Sequence, residues 1–300
     1  PSKPDHHRVL ERRPPVSWVK RRFRLTDKQP DTERTTGTSA QDKPWILALG
    51  VFFVVIVAIW LWMTPAGAWE KLRALGYAVC HQIEDRSFHF HDLQSPLCAR
   101  CTGLYLGSLL SILFQVRQGR KGLFPPARVT VVLGLFFLWF GLDGLNSLLK
   151  FFPQFTYGYE PTNLLRLITG TGVGMGIGAV FAPLFNQTAW ADWIRESYFQ
   201  KWYSFPLLLL LAGMLVAGVY SQHPVILLPA MVLSGLSVFF MLAALYSVLA
   251  LFMLKRVNQQ QNWKQMILPL LLGANLAMIQ IILTSLLRLL LTGTWGAIDL

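Results

Sequence analysis

The amino-acid sequence predicts an all-α polytopic membrane protein, a transmembrane helix bundle of about seven spans with its N-terminus cytoplasmic and its C-terminus outside. Three observations carry this expectation. The 300 residues are 53% hydrophobic and only 14% charged, too apolar for one soluble domain of this length. Apolar runs fall near 45–64, 99–116, 129–151, 164–185, 205–221, 224–254 and 266–290, and a helix needs roughly 17–25 such residues to cross a bilayer core about 30 Å thick. The formal net charge of +12 is not spread evenly. It gathers at one end and in short loops, as orientation in a membrane requires.

The chain divides at the first run. Residues 1–44 form a basic, polar tail, and residues 45–300 form the transmembrane domain with an outer Cys/His segment at 65–103. The tail has too little apolar content to fold alone. Its cluster Lys20, Arg21, Arg22 and Arg24 beside Trp18 and Phe23 suits an anionic leaflet or a partner protein. The first apolar run follows about 44 polar residues and is longer than a signal-peptide core of roughly 7–15, so it reads as a retained span. No basic groove with interleaved aromatics accompanies the charge, which excludes nucleic acid as the expected partner.

Loop charge sets the topology. Arg117, Arg120, Lys121 and Arg128 follow the second run, Arg195 and Lys201 the fourth, and Lys255, Arg256 and Lys264 the sixth. These loops therefore share the side of the tail, which is cytoplasmic by the positive-inside rule. The second run is the weakest, because it is short and contains Ser108, Ser111 and Gln115. After the first span, Trp69, Leu72, Leu75 and Val79 at helical spacing predict a helix lying in the interface, and Trp60, Trp62 and Trp69 fall where an aromatic belt sits. In the fourth run, Gly170, Gly174 and Gly178 share one line and Gly172 and Gly176 another. That is helix packing in lipid and not a dinucleotide fingerprint, since no strand precedes it. Lys150, Lys255 and Arg288 lie near span ends and are expected to snorkel, while Asn275 and Gln280 can bond a neighbouring helix.

All three cysteines and three of the six histidines lie in one stretch, from Cys80-His81-Gln82 through His89 and His91 to Cys98-Ala99-Arg100-Cys101. The C-x-x-C spacing lets two thiolates meet one ion. Cys80 together with His81, His89 or His91 would complete four ligands, so the expected metal set is Cys80, His81, Cys98 and Cys101, with zinc the first choice. Two other readings stay open: a disulfide with one thiol left over, and unligated cysteines that merely pack. Haem attachment is excluded because Thr102, not His, follows Cys101.

The run CHQ…RSF…PLCARCTG…YLG, with Leu142-Asp143-Gly144 and the Asn163, Arg166, Thr169, Gly170 pattern, resembles an uncharacterised prokaryotic multi-pass membrane family, domain of unknown function number twenty eighty-five. The resemblance covers about residues 76–180. It implies a polytopic, cysteine-bearing protein in the prokaryotic inner or plasma membrane and transfers no activity.

The residues themselves reach further. Asp143 and Asn146 share a face of the third span; Asn163, Arg166 and Gly170 share a face of the fourth. Both groups fall at the depth of the cysteines. A charge inside the membrane costs at least about 2.5–3.5 kcal/mol, so Asp143 and Arg166 are expected to face the interior and pair. Arg86, Arg100, Asp143 and Arg166 are the candidate catalytic residues. The expected role is an accessory or structural subunit of a larger membrane complex, with other subunits and the lipid bilayer as partners. The alternative is a metal- or thiol-dependent membrane enzyme acting on an anionic, lipid-linked group. A transporter is third, since no matched pair of broken helices is visible.

Overall fold

The structure, a computed structural model, describes residues 40–149 and 159–296. The tail cluster at Lys20–Arg24 and Lys150 lie outside the described residues. Eight helices carry the described chain: α1 Lys43–Met63, α2 Ala68–Tyr77, α3 Ala99–Val116, α4 Ala127–Leu149, α5 Asn163–Ala189, α6 Ser204–Tyr220, α7 Pro224–Met253 and α8 Trp263–Thr292. Six of them are long and apolar enough to cross a membrane, and α6, at 17 residues, is a shorter apolar helix. The chain is thus an all-α polytopic bundle, as its composition predicts.

The connections sort onto two faces. On one, β3 Lys121–Leu123 pairs in parallel with β4 Ile194–Ser197, Ala191 N–H donates to Gln260 O at 2.9 Å, and Arg256 grips Asp42 with two bonds of 2.8 Å. The loops after α3, α5 and α7 and the start of α1 therefore meet. These are the basic loops singled out from the sequence, and we call this the basic face. The opposite, cysteine face carries α2, the antiparallel hairpin of β1 Ser87–Phe90 and β2 Leu93–Cys98, and the end of α8. Helix α6 starts with Phe205 and Leu208 packed on Tyr198 and Phe199 of the basic-face layer, and ends with Val219 beside Phe88 of β1. It runs from one face to the other, which keeps the alternation that seven spans require.

Helices α3 and α5 run parallel with their backbones in contact. A Cβ added at Gly170, Gly174 or Gly178 would lie 2.1, 2.1 and 2.7 Å from the carbonyl oxygens of Arg100, Leu104 and Ser108. Only glycine permits this approach, and without a hydrophobic force between spans, close contact is what holds them. The second glycine line serves a different neighbour: Gly172 and Gly176 receive Phe136 and Phe137 of α4. The polar residues that weaken α3 as a span are buried against α5, where Ser111 Oγ donates to Met175 O at 3.0 Å and Gln115 Nε2 to Gly178 O at 2.9 Å. Asn275 bonds Leu49 O of α1 and Gln280 accepts from Tyr246 of α7, the interhelical roles expected of them.

The 65–98 segment departs from expectation. Helix α2 turns its apolar stripe to the protein. Leu72 and Leu75 are buried against Ile56, Trp60, Met278 and Ile281 of α1 and α8, and Leu72 fills the space at Gly235 of α7. Trp69 is tied by its Nε1 to Gln94 O at 3.0 Å and Trp60 is buried, so only Trp62, 86% exposed, keeps the position of a belt residue. Periodicity finds the apolar stripe but does not distinguish a stripe facing lipid from one facing protein.

Candidate metal centre and arginine cavity

Cys98 ends β2 and occupies the position just before α3. A side chain at that position folds back over the first turn. Cys101 is the third residue of that turn, so the C-x-x-C spacing brings both thiols to one corner. Cys80 meets them from the end of α2, where its N–H closes on Gly76 O at 2.9 Å, and Cys98 N–H donates to Cys80 Sγ at 3.2 Å. The three sulfurs lie within 4.8 Å of one another, and all three are free thiols. Three sulfurs about 2.3 Å from one tetrahedral ion stand about 3.8 Å apart, so this spacing suits a shared metal after small rotations. Hydrogen bonds from the Cys101 and Cys80 thiols hold the Cys98 thiol well below its usual range, while Cys98 and burial push the Cys80 thiol up, so the cluster favours a thiolate at Cys98 alone until a cation joins it.

The CHQ motif divides its labour. Gln82 takes a left-handed backbone, φ 55°, and is fully buried. Its Nε2 donates to Arg73 O and Pro96 O, both at 2.8 Å, stitching the Cys80 loop to α2 and β2. Gly76 is needed there, because a Cβ would sit 2.0 Å from Pro96 O. Arg288 completes the hold. Its guanidinium lies 3.8 Å over the Tyr77 ring and donates to the carbonyls of Tyr77 and His81 at 2.9 Å and to that of Cys80. The residue does not snorkel; it clasps the loop that carries the first cysteine.

Cys98 and Cys101 line a cavity of ≈ 360 Å³ together with His81, Arg86, Arg100 and Arg166. Asp143, fully buried on α4, accepts from Arg100 Nη2 and, at 2.8 Å, from Tyr159 OH. Asn146 Nδ2 donates to Tyr159 O at 2.7 Å. The expected pairing of Asp143 with Arg166 is not formed. Arg166 instead donates to Asn163 Oδ1 at 2.9 Å, because it begins α5 one turn before Gly170, whereas Arg100 begins α3 directly over α4. Three of the four candidates, Arg86, Arg100 and Arg166, nonetheless line one space, and Asp143 is joined to it through Arg100.

The histidines separate from the sulfurs. His81 is exposed on the cavity wall. His89 sits on the hairpin within 4.0 Å of Glu84, and His91 is exposed in the hairpin turn, φ 50°. Among the described residues no histidine joins the three converging sulfurs. Gln82, Arg288 and Tyr159 were not anticipated; the first stands in the motif itself, while the other two carry no local signal.

A family model described as "Predicted membrane protein (DUF2085)" matches residues 80–180. An uncharacterized protein of Methanothermobacter thermautotrophicus is 33% identical over 103 residues, covering 34% of this chain and 83% of the relative. The chain belongs to the DUF2085 membrane protein family. A second relative, an uncharacterized protein of Methanocaldococcus jannaschii, is 28% identical over 122 residues, 39% of this chain and 72% of its own. No solved structure matches. The family segment holds the three cysteines, all four charged candidates, the hairpin and α3 to most of α5. The Arg288 clasp comes from α8, outside that segment.

Proposed function

We propose that the chain is a metal-dependent membrane enzyme in which Cys80, Cys98 and Cys101 hold a zinc ion whose fourth position opens onto the arginine cavity, and that it acts on an anionic, membrane-borne group. One observation carries this reading: two of the three converging cysteines line the same cavity as Arg86, Arg100 and Arg166. Structural zinc sites close with four protein ligands, whereas catalytic sites keep three and leave one position for the substrate. His81, on the cavity wall, leaves that position free. Bound there, zinc would supply a Lewis acid for an oxygen of the ligand. The chain's own residues bind and orient: the arginines attract the anion, and Asp143 fixes Arg100 from below.

The expectation of an accessory subunit rests on the tail at 1–44, most of which lies outside the described residues, so the site favours the enzyme. By the positive-inside rule the basic face is cytoplasmic and the centre faces outward from the plasma membrane.

Metal analysis of the full chain purified in nanodiscs tests the proposal. One zinc per chain is expected, abolished by C98S or C101S and retained by R166Q. Protein from zinc-replete cells that carries no metal, with its thiols paired as a disulfide, sinks it.

A further inference from the structure

At the basic end of the bundle the helices leave a second space, of ≈ 380 Å³, between α3 and α5 on one side and α7 and α8 on the other. Its head is formed by Arg120, in the loop after α3, with Trp190 just past α5 and Trp263 at the start of α8. The Arg120 guanidinium lies 3.8 Å over the Trp190 ring, and Trp263 meets the same ring edge-on at 4.8 Å. From there the space runs inward. Ile112 of α3 stands one turn inside the end of its helix, while Phe181 of α5 and Ala244 of α7 stand eight and nine residues inside theirs. At a rise of 1.5 Å per residue this is a depth of about 12 Å along the spans.

The deep part is hydrocarbon, walled by Ile112, Phe181, Phe185 and Ala244. Asn186 and Tyr198 also reach the wall, but their hydrogens are spent. Asn186 Nδ2 donates to Lys121 O and to Tyr198 Oη, both at 2.7 Å, and Tyr198 Oη donates to Gly119 O at 2.7 Å. A ligand with a polar group at each end, such as a sugar or a nucleotide, would leave the inner group poorly bonded at a cost. Charge decides the head. No residue lining the space is acidic, and the loops at 117–128, 190–203 and 254–264 hold nine lysines and arginines against two carboxylates. That field disfavours a cation and draws in an anion. Arg120 keeps the means to hold one. Its Nη1 serves Asp192 at 2.7 Å and Gln261 O at 3.3 Å, and its Nε and Nη2 edge makes no hydrogen bond among the described residues. The Asp192 side chain is 65% exposed, so this is a weak surface pair that a ligand oxygen can share.

We infer that this slot binds an anionic phospholipid of the leaflet at the basic face, with one acyl chain laid along Ile112, Phe181 and Ala244 and the phosphate against Arg120. Guanidinium forks suit phosphate oxygens. The depth of the slot suits a chain in one leaflet, whose share of the hydrocarbon core is roughly 15 Å. The bound chain touches α3, in the family segment, and α7, beyond it, so it also strengthens the join between them. The site lies at the opposite end of the bundle from the cysteines and does not depend on the metal reading.

The test uses the full chain in mixed nanodiscs of phosphatidylcholine and phosphatidylglycerol, read by native mass spectrometry of the released protein and by thermal unfolding. Retention of phosphatidylglycerol in preference to phosphatidylcholine is expected, with a higher unfolding temperature than in phosphatidylcholine alone. R120Q should weaken that preference roughly five- to tenfold. D192N, which releases Arg120 from its surface partner, should keep or strengthen it. If both substitutions weaken it equally, Arg120 only straps the loops together and the inference is overturned. A244F fills the slot and should abolish retention of either lipid, and I112W does the same from the facing wall if A244F fails to fold. Equal retention of the two lipids by the unsubstituted chain overturns the inference, as does retention of phosphatidylglycerol at full strength by the filled variants. So does binding of palmitate without binding of phosphatidylglycerol.

Discussion

The basic face and the cysteine face both carry many charges, but they treat them differently. On the basic face three carboxylates meet a cation at ordinary distance: Arg120 with Asp192 at 2.7 Å, Lys121 with Glu196 at 3.0 Å and Arg256 with Asp42 at 2.8 Å. Arg120 also covers the Trp190 ring at 3.8 Å. On the cysteine face Arg100 closes on the buried Asp143, and the Nε atoms of Arg100 and Arg166 are buried without an acceptor. Matched charges join loops. Buried donors left without an acceptor carry a cost that the loop pairs avoid.

The comparison can be broken outright if the two faces are not on opposite sides of the membrane. In a chain whose three cysteines are replaced by serine, an impermeant maleimide applied to intact cells should label S221C and leave Q259C untouched. The reverse pattern would swap the faces, and labelling of both would dissolve the distinction.

The next largest effect is expected at Asp143. D143N leaves Arg100 charged with its buried partner neutralised and should cost about 3–5 kcal/mol in a reversible unfolding assay in detergent. D192N on the basic face removes an exposed pair, and a loss of about 0–1 kcal/mol is expected. If the two substitutions cost the same, the cysteine-face pair is no more buried in energetic terms than the loop pair.

A smaller and more local effect is expected at Arg288. R288M keeps the side chain's length but withdraws the donors that hold the Tyr77, Cys80 and His81 carbonyls. Zinc affinity should fall roughly ten- to hundredfold, as it does when an outer-shell partner of a metal ligand is lost, with the helical content by circular dichroism unchanged. Unaltered affinity would make Arg288 a simple strap between α8 and α2.

The spans were legible because lipid demands long apolar runs, and the glycine lines because backbone contact in lipid demands small residues four apart. Their partners were not: nothing in the spacing says that Gly174 meets Leu104 while Gly172 meets Phe136. The same gap separates the expected Asp143–Arg166 pair from the Arg100 pair found. Sequence gives a residue's depth from its distance to the span end, and all three residues lie at similar depth. Which two meet depends on helix rotation, which packing decides. Arg288 shows the limit again, since a cation near a span end reads as snorkelling whether it turns to water or to three carbonyls. The C-x-x-C corner was readable because it lies within one helical turn. The hairpin between β1 and β2, which carries His89 and His91 away from the sulfurs, left no comparable periodic trace.

The glycine contact between α3 and α5 also acts as a vernier. Arg100 stands against Gly170, Leu104 against Gly174 and Ser108 against Gly178, so each α3 residue faces its α5 partner at a constant offset. Helices locked in this way cannot creep; they can only jump by a turn, about 5.4 Å. One such jump would lift Arg166 out of reach of the space it shares with Arg100. The calibration of the cavity is therefore written in the middle of the bilayer, and a methyl group added at Gly178, three turns below, would be read at the surface as two arginines out of step.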